Sequence, residues 1–66
     1  SDLRGADFSG ANLSGADFSG SDLRNTVFYF ANLTSVNFRN ANMYCASISG
    51  ANFTGANLSR ANFYNE

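Results

Sequence analysis

The chain has 66 residues, a formal net charge of −1, 44% hydrophobic residues and one cysteine. This length allows one small domain, and the charge gives no reason to expect a nucleic acid or an anionic membrane as a partner. The lone Cys45 excludes an internal disulfide and a multi-cysteine metal site. No apolar run reaches the roughly 18 residues of a membrane span, so we expect no membrane insertion.

The residue types also argue against catalysis. The sequence has neither His nor Lys, which removes Ser–His, Cys–His and Schiff-base chemistry. Cys45 reads as an inert substitution rather than a nucleophile. The recurring Asp and Asn are interpreted as structural rather than as calcium ligands. We therefore expect a protein that is not an enzyme and holds no metal or cofactor.

From Ser1 the sequence divides into thirteen pentads with no insertion, beginning SDLRG ADFSG ANLSG ADFSG. The third residue of every pentad, called the centre below, is apolar. The first residue is small, and the second is Asp or Asn in eleven pentads. The centres form the predicted structural core: Leu3, Phe8, Leu13, Phe18, Leu23, Phe28, Leu33, Phe38, Met43, Ile48, Phe53, Leu58 and Phe63.

A period of five fits neither regular structure. On an α-helix, successive centres would land about 140° apart, and on a continuous strand they would alternate between opposite faces. A chain that turns after each centre can instead direct all of them toward one axis. Gly at six fifth positions and Asn at three others suit such a turn, so the sequence predicts a solenoid.

The pattern resembles the pentapeptide-repeat family, whose consensus is A(D/N)LXX with Leu or Phe at the centre, over essentially the whole chain. The resemblance implies an all-β fold, a right-handed quadrilateral β-helix with four pentads per coil, and so about three coils of twenty residues. Residues twenty apart should then stack, with Asn12, Asn32 and Asn52 hydrogen-bonded along one column. We expect residues 1–66 to form a single solenoid. Because neither end has a polar capping segment, we expect a domain or fragment of a longer chain, or self-association through uncapped coil ends.

The departures from the consensus predict a partner-binding surface. In "TVFYF" and "ANMYC", outward positions carry apolar and aromatic side chains where other pentads carry Ser, Thr or Gly. Clustered aromatic surface often marks a contact site, although drift at tolerant outward positions is the alternative. The predicted partner-binding residues are Val27, Tyr29, Phe30, Tyr44 and Tyr64.

Three functions remain open at this level. The first is a non-catalytic protein-interaction or scaffold module, a rigid rod whose flat, ladder-like faces bind a protein partner without direct nucleic-acid contact. The second comes from the resemblance alone: some members of the family protect DNA gyrase by imitating duplex DNA. The third is a structural spacer within a larger assembly. The compartment stays undecided, because the resemblance extends to proteins of the cytoplasm, which is slightly favoured, of the photosynthetic lumen and of the secreted class.

Overall fold

The computed structural model describes residues 2–63. In this part of the chain there is no helix and no strand with consecutive paired residues; each pentad instead contributes one isolated β-bridge at its second residue. Nine parallel bridges join residues that are twenty apart, from Asp2↔Asp22 to Asn42↔Asn62. Only a short extended piece separates successive turns, so the pairing never grows into long strands. Twenty residues therefore make one coil, and each coil has four sides.

The coils and faces can be numbered from this offset. Coil 1 is residues 2–20, coil 2 is 21–40, coil 3 is 41–60, and residues 61–63 lie above coil 3 on the first face. The four faces follow the four pentads of a coil, and a corner is the fourth and fifth residues of a pentad. The principal extents are 21 × 21 × 20 Å, so the solenoid is a block about as tall as it is wide rather than a rod.

Three backbone hydrogen bonds per pentad connect neighbouring coils. The N–H of a centre donates to the second-position carbonyl of the next coil, as from Leu3 to Asp22 (2.9 Å). The N–H of the fifth residue donates to the next coil's fourth-position carbonyl, as from Gly5 to Arg24 (3.0 Å). In the opposite direction, the second-position N–H donates to the first-position carbonyl of the preceding coil. Each coil therefore has complementary upper and lower edges.

A β-turn makes each corner. The N–H of Ala6 donates to the carbonyl of Leu3 at 3.1 Å, and the bond recurs at the other corners. The fifth residue has a positive φ at all twelve described corners, as the third residue of a type II turn requires. Six of the twelve are not glycine: Asn25, Phe30, Ser35, Asn40, Cys45 and Arg60.

The Asp or Asn at the second position braces the corner that follows it. Its side-chain oxygen accepts the N–H of the residue two further on, as Asp7 Oδ1 does from Ser9 (2.9 Å). The same contact forms in ten pentads, which explains the preference for these two residue types. The predicted side-chain ladder is confirmed for one pair, in which Asn32 Nδ2 donates to Asn12 Oδ1 at 3.3 Å.

The core is driest in coil 2, whose four centres are all 0% exposed. Like side chains stack on like: Phe8 lies on Phe28 with ring centroids 5.1 Å apart, and Phe18 lies on Phe38 at 5.5 Å. Across the axis, Phe28 and Phe38 meet edge to face at 6.1 Å. Thr26 is also fully buried, and its hydroxyl donates to the Leu23 carbonyl at 2.8 Å.

The two end coils are less covered than the predicted core implies. The four centres of coil 1 are half-buried. The prediction that all thirteen centres are buried is wrong for Ile48, Leu58 and Phe63, which are 37%, 39% and 40% exposed. Within the described residues no coil lies above these three side chains, so their upper surfaces meet solvent.

Candidate interaction surfaces

The corner between the second and third faces carries the most exposed aromatic side chains. Tyr29 is 44% exposed and Phe30 is 76% exposed, while Val27 of the same pentad is half-buried. Phe30 has a φ of +57°, a conformation that costs an L-residue roughly 1–2 kcal/mol. Its ring packs over Gly50, where an added Cβ would come 2.5 Å from Phe30 Cδ1.

Tyr44 lies on a different corner, between the first and second faces. It is 39% exposed, and its N–H donates to Asn42 Oδ1 at 3.2 Å. Cys45, a free cysteine, follows it and is half-buried with a φ of +61°. The predicted surface therefore divides between two corners that flank the second face. Tyr64, its fifth predicted residue, lies outside the described residues.

The corner strain at Phe30 is the feature that the sequence analysis missed. The signal was present, because all four fifth positions in coil 1 are glycine and a phenylalanine at an equivalent position inherits the glycine conformation. Ser9–Gly10 and Ser49–Gly50 are the matching corners in coils 1 and 3. The fold therefore closes this corner without aromatic residues.

The first face carries a cluster of ion pairs. Arg4 makes two bonds of 2.9 Å to Asp2, and Arg24 makes bonds of 2.8 and 2.7 Å to Asp22. The hydrogen bond from Arg4 lowers the pKa of Asp2 from 3.8 to about 2. The bond from Arg24 lowers the pKa of Asp22 in the same way. A shallow depression on this face is lined by Asp2, Arg4, Gly5 and Asn25. Its one carboxylate, that of Asp2, is already paired with Arg4.

The other two described acids lie on different faces. Asp7 is on the second face and Asp17 on the fourth, and a hydrogen bond from the serine two residues later lowers the pKa of each. Between residues 2 and 63, no three His, Cys, Asp or Glu side chains cluster as metal ligands would. None of the described residues belongs to a helix that is long and apolar enough to cross a membrane.

Comparisons with known proteins identify the repeat. The family model described as "Pentapeptide repeats (8 copies)" matches residues 1–40 and 41–65. A search of curated proteins found no match.

Solved structures give the same result. A pentapeptide repeat protein from the thylakoid lumen of Arabidopsis thaliana is 42% identical over 91% of this chain, with a TM-score of 0.90. Rfr23, a pentapeptide repeat protein of the cyanobacterium Cyanothece 51142, is 27% identical over 96%, with a TM-score of 0.93. This chain covers 41% and 43% of those two proteins. With matched repeats along nearly its whole length and two close structural relatives of the same kind, the chain belongs to the pentapeptide-repeat family.

Proposed function

We propose that the chain is a non-catalytic protein-interaction module, built as a right-handed solenoid like its family, and that the Tyr29–Phe30 corner is its main lateral contact. The observation that carries this proposal is Phe30, which is 76% exposed and held in a left-handed backbone conformation. A large apolar side chain in that state stabilises neither the core nor the turn. Residues held in unfavourable backbone conformations cluster at functional sites.

The aromatic pair is also suited to binding by its rigidity. The N–H of Phe30 donates to Ser49 at 3.0 Å, and the carbonyl of Tyr29 accepts the N–H of Gly10 at 2.8 Å. The corner is therefore held by both neighbouring coils, and little backbone order remains to be lost on binding. Tyrosine and phenylalanine are enriched at protein interfaces, so a protein surface with an apolar recess is the partner this corner fits.

A matched pair of variants tests the proposal. Tyr29→Ser with Phe30→Gly converts the corner to the Ser-Gly of coils 1 and 3, whereas Thr34→Ser with Ser35→Gly makes the same conversion at the next corner. Both variants should fold, which circular dichroism and thermal unfolding would check. The immobilised wild-type chain and the Thr34→Ser, Ser35→Gly variant should retain the same protein from host extract. The Tyr29→Ser, Phe30→Gly variant should retain at least tenfold less of that protein. Equal retention of every bound protein by all three chains would exclude this corner as the contact.

The distribution of acids does not favour DNA mimicry. Asp2 and Asp22 are neutralised by arginine, and Asp7 and Asp17 are on separate faces. A surface that imitates duplex DNA needs a continuous row of unpaired negative charge. We therefore expect no protection of DNA gyrase in a supercoiling assay.

A further inference from the structure

We propose that the N–H groups of Tyr29 and Ser49 form a carboxylate-binding site on the second face, and that its ligand is an acidic side chain of the protein bound at the Tyr29–Phe30 corner. The position of the site follows from the backbone of coils 2 and 3. The source of the carboxylate rests on the proposed function, whereas the binding of a carboxylate does not.

Two stacked corners lack the side-chain brace that closes the others. In ten pentads the second residue is Asp or Asn, and its oxygen accepts the N–H of the fourth residue. The exceptions are Val27 and Ser47, whose side chains have no carbonyl oxygen. These two residues are bridge partners, so the two exceptions lie one above the other on the second face.

The fourth residues of these two pentads are Tyr29 and Ser49, and their N–H groups are left without an acceptor. Neither N–H group donates a hydrogen bond within residues 2–63, and both residues are exposed. The equivalent N–H in coil 1, that of Ser9, donates to Asp7 at 2.9 Å. The two N–H groups are therefore stacked about one strand spacing, ~4.8 Å, apart, and they face the side on which Asp7 braces coil 1.

The backbone fixes the direction of both N–H groups. The carbonyl of Phe28 accepts the N–H of Ala31 at 3.1 Å. One coil higher, the carbonyl of Ile48 accepts the N–H of Ala51 at 3.0 Å. Because a peptide group is planar and trans, each of these bonds also orients the N–H of the fourth residue, which belongs to the same peptide group. The two donors are preorganised, so little order is lost when an acceptor binds.

Hydroxyl donors lie beside the two N–H groups. The side chains of Ser47 and Ser49 make no hydrogen bond within the described residues. Ser47 is also shorter than the Asp or Asn of other pentads, which leaves space outside it. A carboxylate has two acceptor oxygens and no donor, so it can accept from both N–H groups and from a hydroxyl at once. A side-chain amide would direct its own NH₂ group at one of these donors, so the site favours a carboxylate.

The aromatic corner indicates where such a carboxylate comes from. Tyr29 and Phe30 are 44% and 76% exposed, and the Phe30 ring packs over Gly50, the residue after Ser49. Apolar neighbours lower the local dielectric constant and so strengthen a hydrogen bond. An acidic side chain with apolar neighbours in its own chain would contact the rings and the donors together. A free carboxylate ion would use the donors alone.

One acid on the same face opposes the binding of an anion. Asp7 lies one coil below Val27. It is the charged residue of the second face, since residues 26–30 and 46–50 include none. Asp7→Asn keeps an oxygen that can brace Ser9 and removes the negative charge. This variant should bind a carboxylate about twofold more tightly, because the two charges would lie within about one Debye length of each other.

Amide NMR with short peptides tests the site directly. The probe is the tripeptide Leu-Asp-Leu with blocked ends, and Leu-Asn-Leu is its uncharged control. The Asp peptide should move the N–H protons of Tyr29 and Ser49 downfield more than those of the braced residues Ser9 and Thr34. The Asn peptide should bind about fivefold more weakly, because hydrogen bonds to a charged acceptor are stronger. Equal shifts at all four N–H groups, or equal binding of the two peptides, would overturn the site.

Restoring the brace is the matched test on the protein. Val27→Asn with Ser47→Asn gives both pentads the consensus residue, so the two N–H groups become bonded within the chain. This variant should fold, which circular dichroism checks, and should bind the Asp peptide at least about tenfold more weakly than the wild-type chain. Val27→Ala with Ser47→Ala adds no acceptor and should retain most of the binding. Undiminished binding by the Asn variant, or equal losses in the two variants, would contradict the proposal.

Two comparisons separate this site from the proposed function. Tyr29→Ser with Phe30→Gly keeps both N–H groups, so sodium acetate should still shift them although this variant loses the partner. Val27→Asn with Ser47→Asn keeps both rings but should retain about tenfold less of the partner from host extract. Partner retention that depends on the rings alone, or acetate that binds as tightly as the Asp peptide, would overturn the assignment to an acidic side chain. Absence of the amide shifts would overturn the site and leave the corner contact intact.

Discussion

Coils 1 and 2 differ in the residues at their corners and in the burial of their centres. In coil 1 every corner is glycine, so the turns are relaxed, but the centres are only half-buried. In coil 2 the centres are fully buried, but all four corners hold non-glycine residues with positive φ: Asn25, Phe30, Ser35 and Asn40. Four of the six non-glycine corners therefore occur where both edges of the coil are hydrogen-bonded and the core is driest, and the other two, Cys45 and Arg60, are in coil 3.

This difference shows what determines the backbone of a corner. Phenylalanine and serine have no intrinsic preference for the left-handed region, yet Phe30 and Ser35 adopt φ values of +57° and +58°. The ladder to the coils above and below imposes the turn, and the residue type only sets its cost. Arg60 adopts the same conformation in coil 3, with a φ of +60°, so cover on both sides is not required for a non-glycine corner.

The largest effect is expected from shortening a central leucine to alanine, compared between coil 2, which is covered on both sides, and coil 3, which is covered on one. Leu33→Ala, at a centre that is 0% exposed, should lower the free energy of unfolding by about 2–5 kcal/mol. Leu58→Ala, at a centre that is 39% exposed, should cost less than half as much. Urea unfolding followed by circular dichroism, at a concentration where the chain is monomeric, measures both. Equal costs would mean that the covered coil gains nothing from its second neighbour.

The next test compares two glycine corners. Gly10→Ala should cost about 1–2 kcal/mol because alanine must adopt a φ near +69°. Gly50→Ala has the same conformational cost, and its Cβ also meets the Phe30 ring, which should add about 1–3 kcal/mol. Adding Phe30→Gly to Gly50→Ala should remove the additional cost in a double-mutant cycle. Additive effects of the two substitutions would show that the ring moves aside freely.

A smaller effect is expected from relieving the strained corners themselves. Phe30→Gly should raise the free energy of unfolding by about 0.5–1 kcal/mol, because the gain in turn geometry exceeds the greater flexibility of unfolded glycine. Asn25→Gly is the matched control and should change little, since asparagine tolerates this conformation better. Thermal unfolding of both variants measures the difference. A destabilised Phe30→Gly chain would show that the contact of the ring with Gly50 is worth more than the strain.

The smallest effect concerns acid stability. The pKa of Asp2 is about 2 in the folded chain and near 3.8 when unfolded, so its contribution is fully present above pH 3.8 and is lost as the pH falls through 2. The pKa shifts of Asp7, Asp17 and Asp22 have the same direction. The melting temperature should therefore fall between pH 5 and pH 2. A chain with all four aspartates changed to Asn keeps the side-chain oxygens that brace the corners. Its melting temperature should therefore fall less over the same pH range.

Much of the fold could be predicted from the sequence because one rule is repeated thirteen times. The centres, the turns after them and the stacking of Phe8 on Phe28 follow from the five-residue period and the family resemblance. The conformation of Phe30 could not be predicted from local propensity, because contacts with residues twenty positions away impose it. The division of the predicted aromatic surface between two corners likewise could not be predicted, because it depends on which corner of the coil carries Tyr29 and which carries Tyr44.

The offset of twenty residues also limits how such a gene can change in length. Removing residues 21–40 would join coil 1 directly to coil 3 with every bridge partner still in phase. Inserting one residue within the extended part of a pentad would move all later centres out of register with the coil below. The solenoid can therefore gain or lose length in steps of twenty residues while its bridges and its core stay in register.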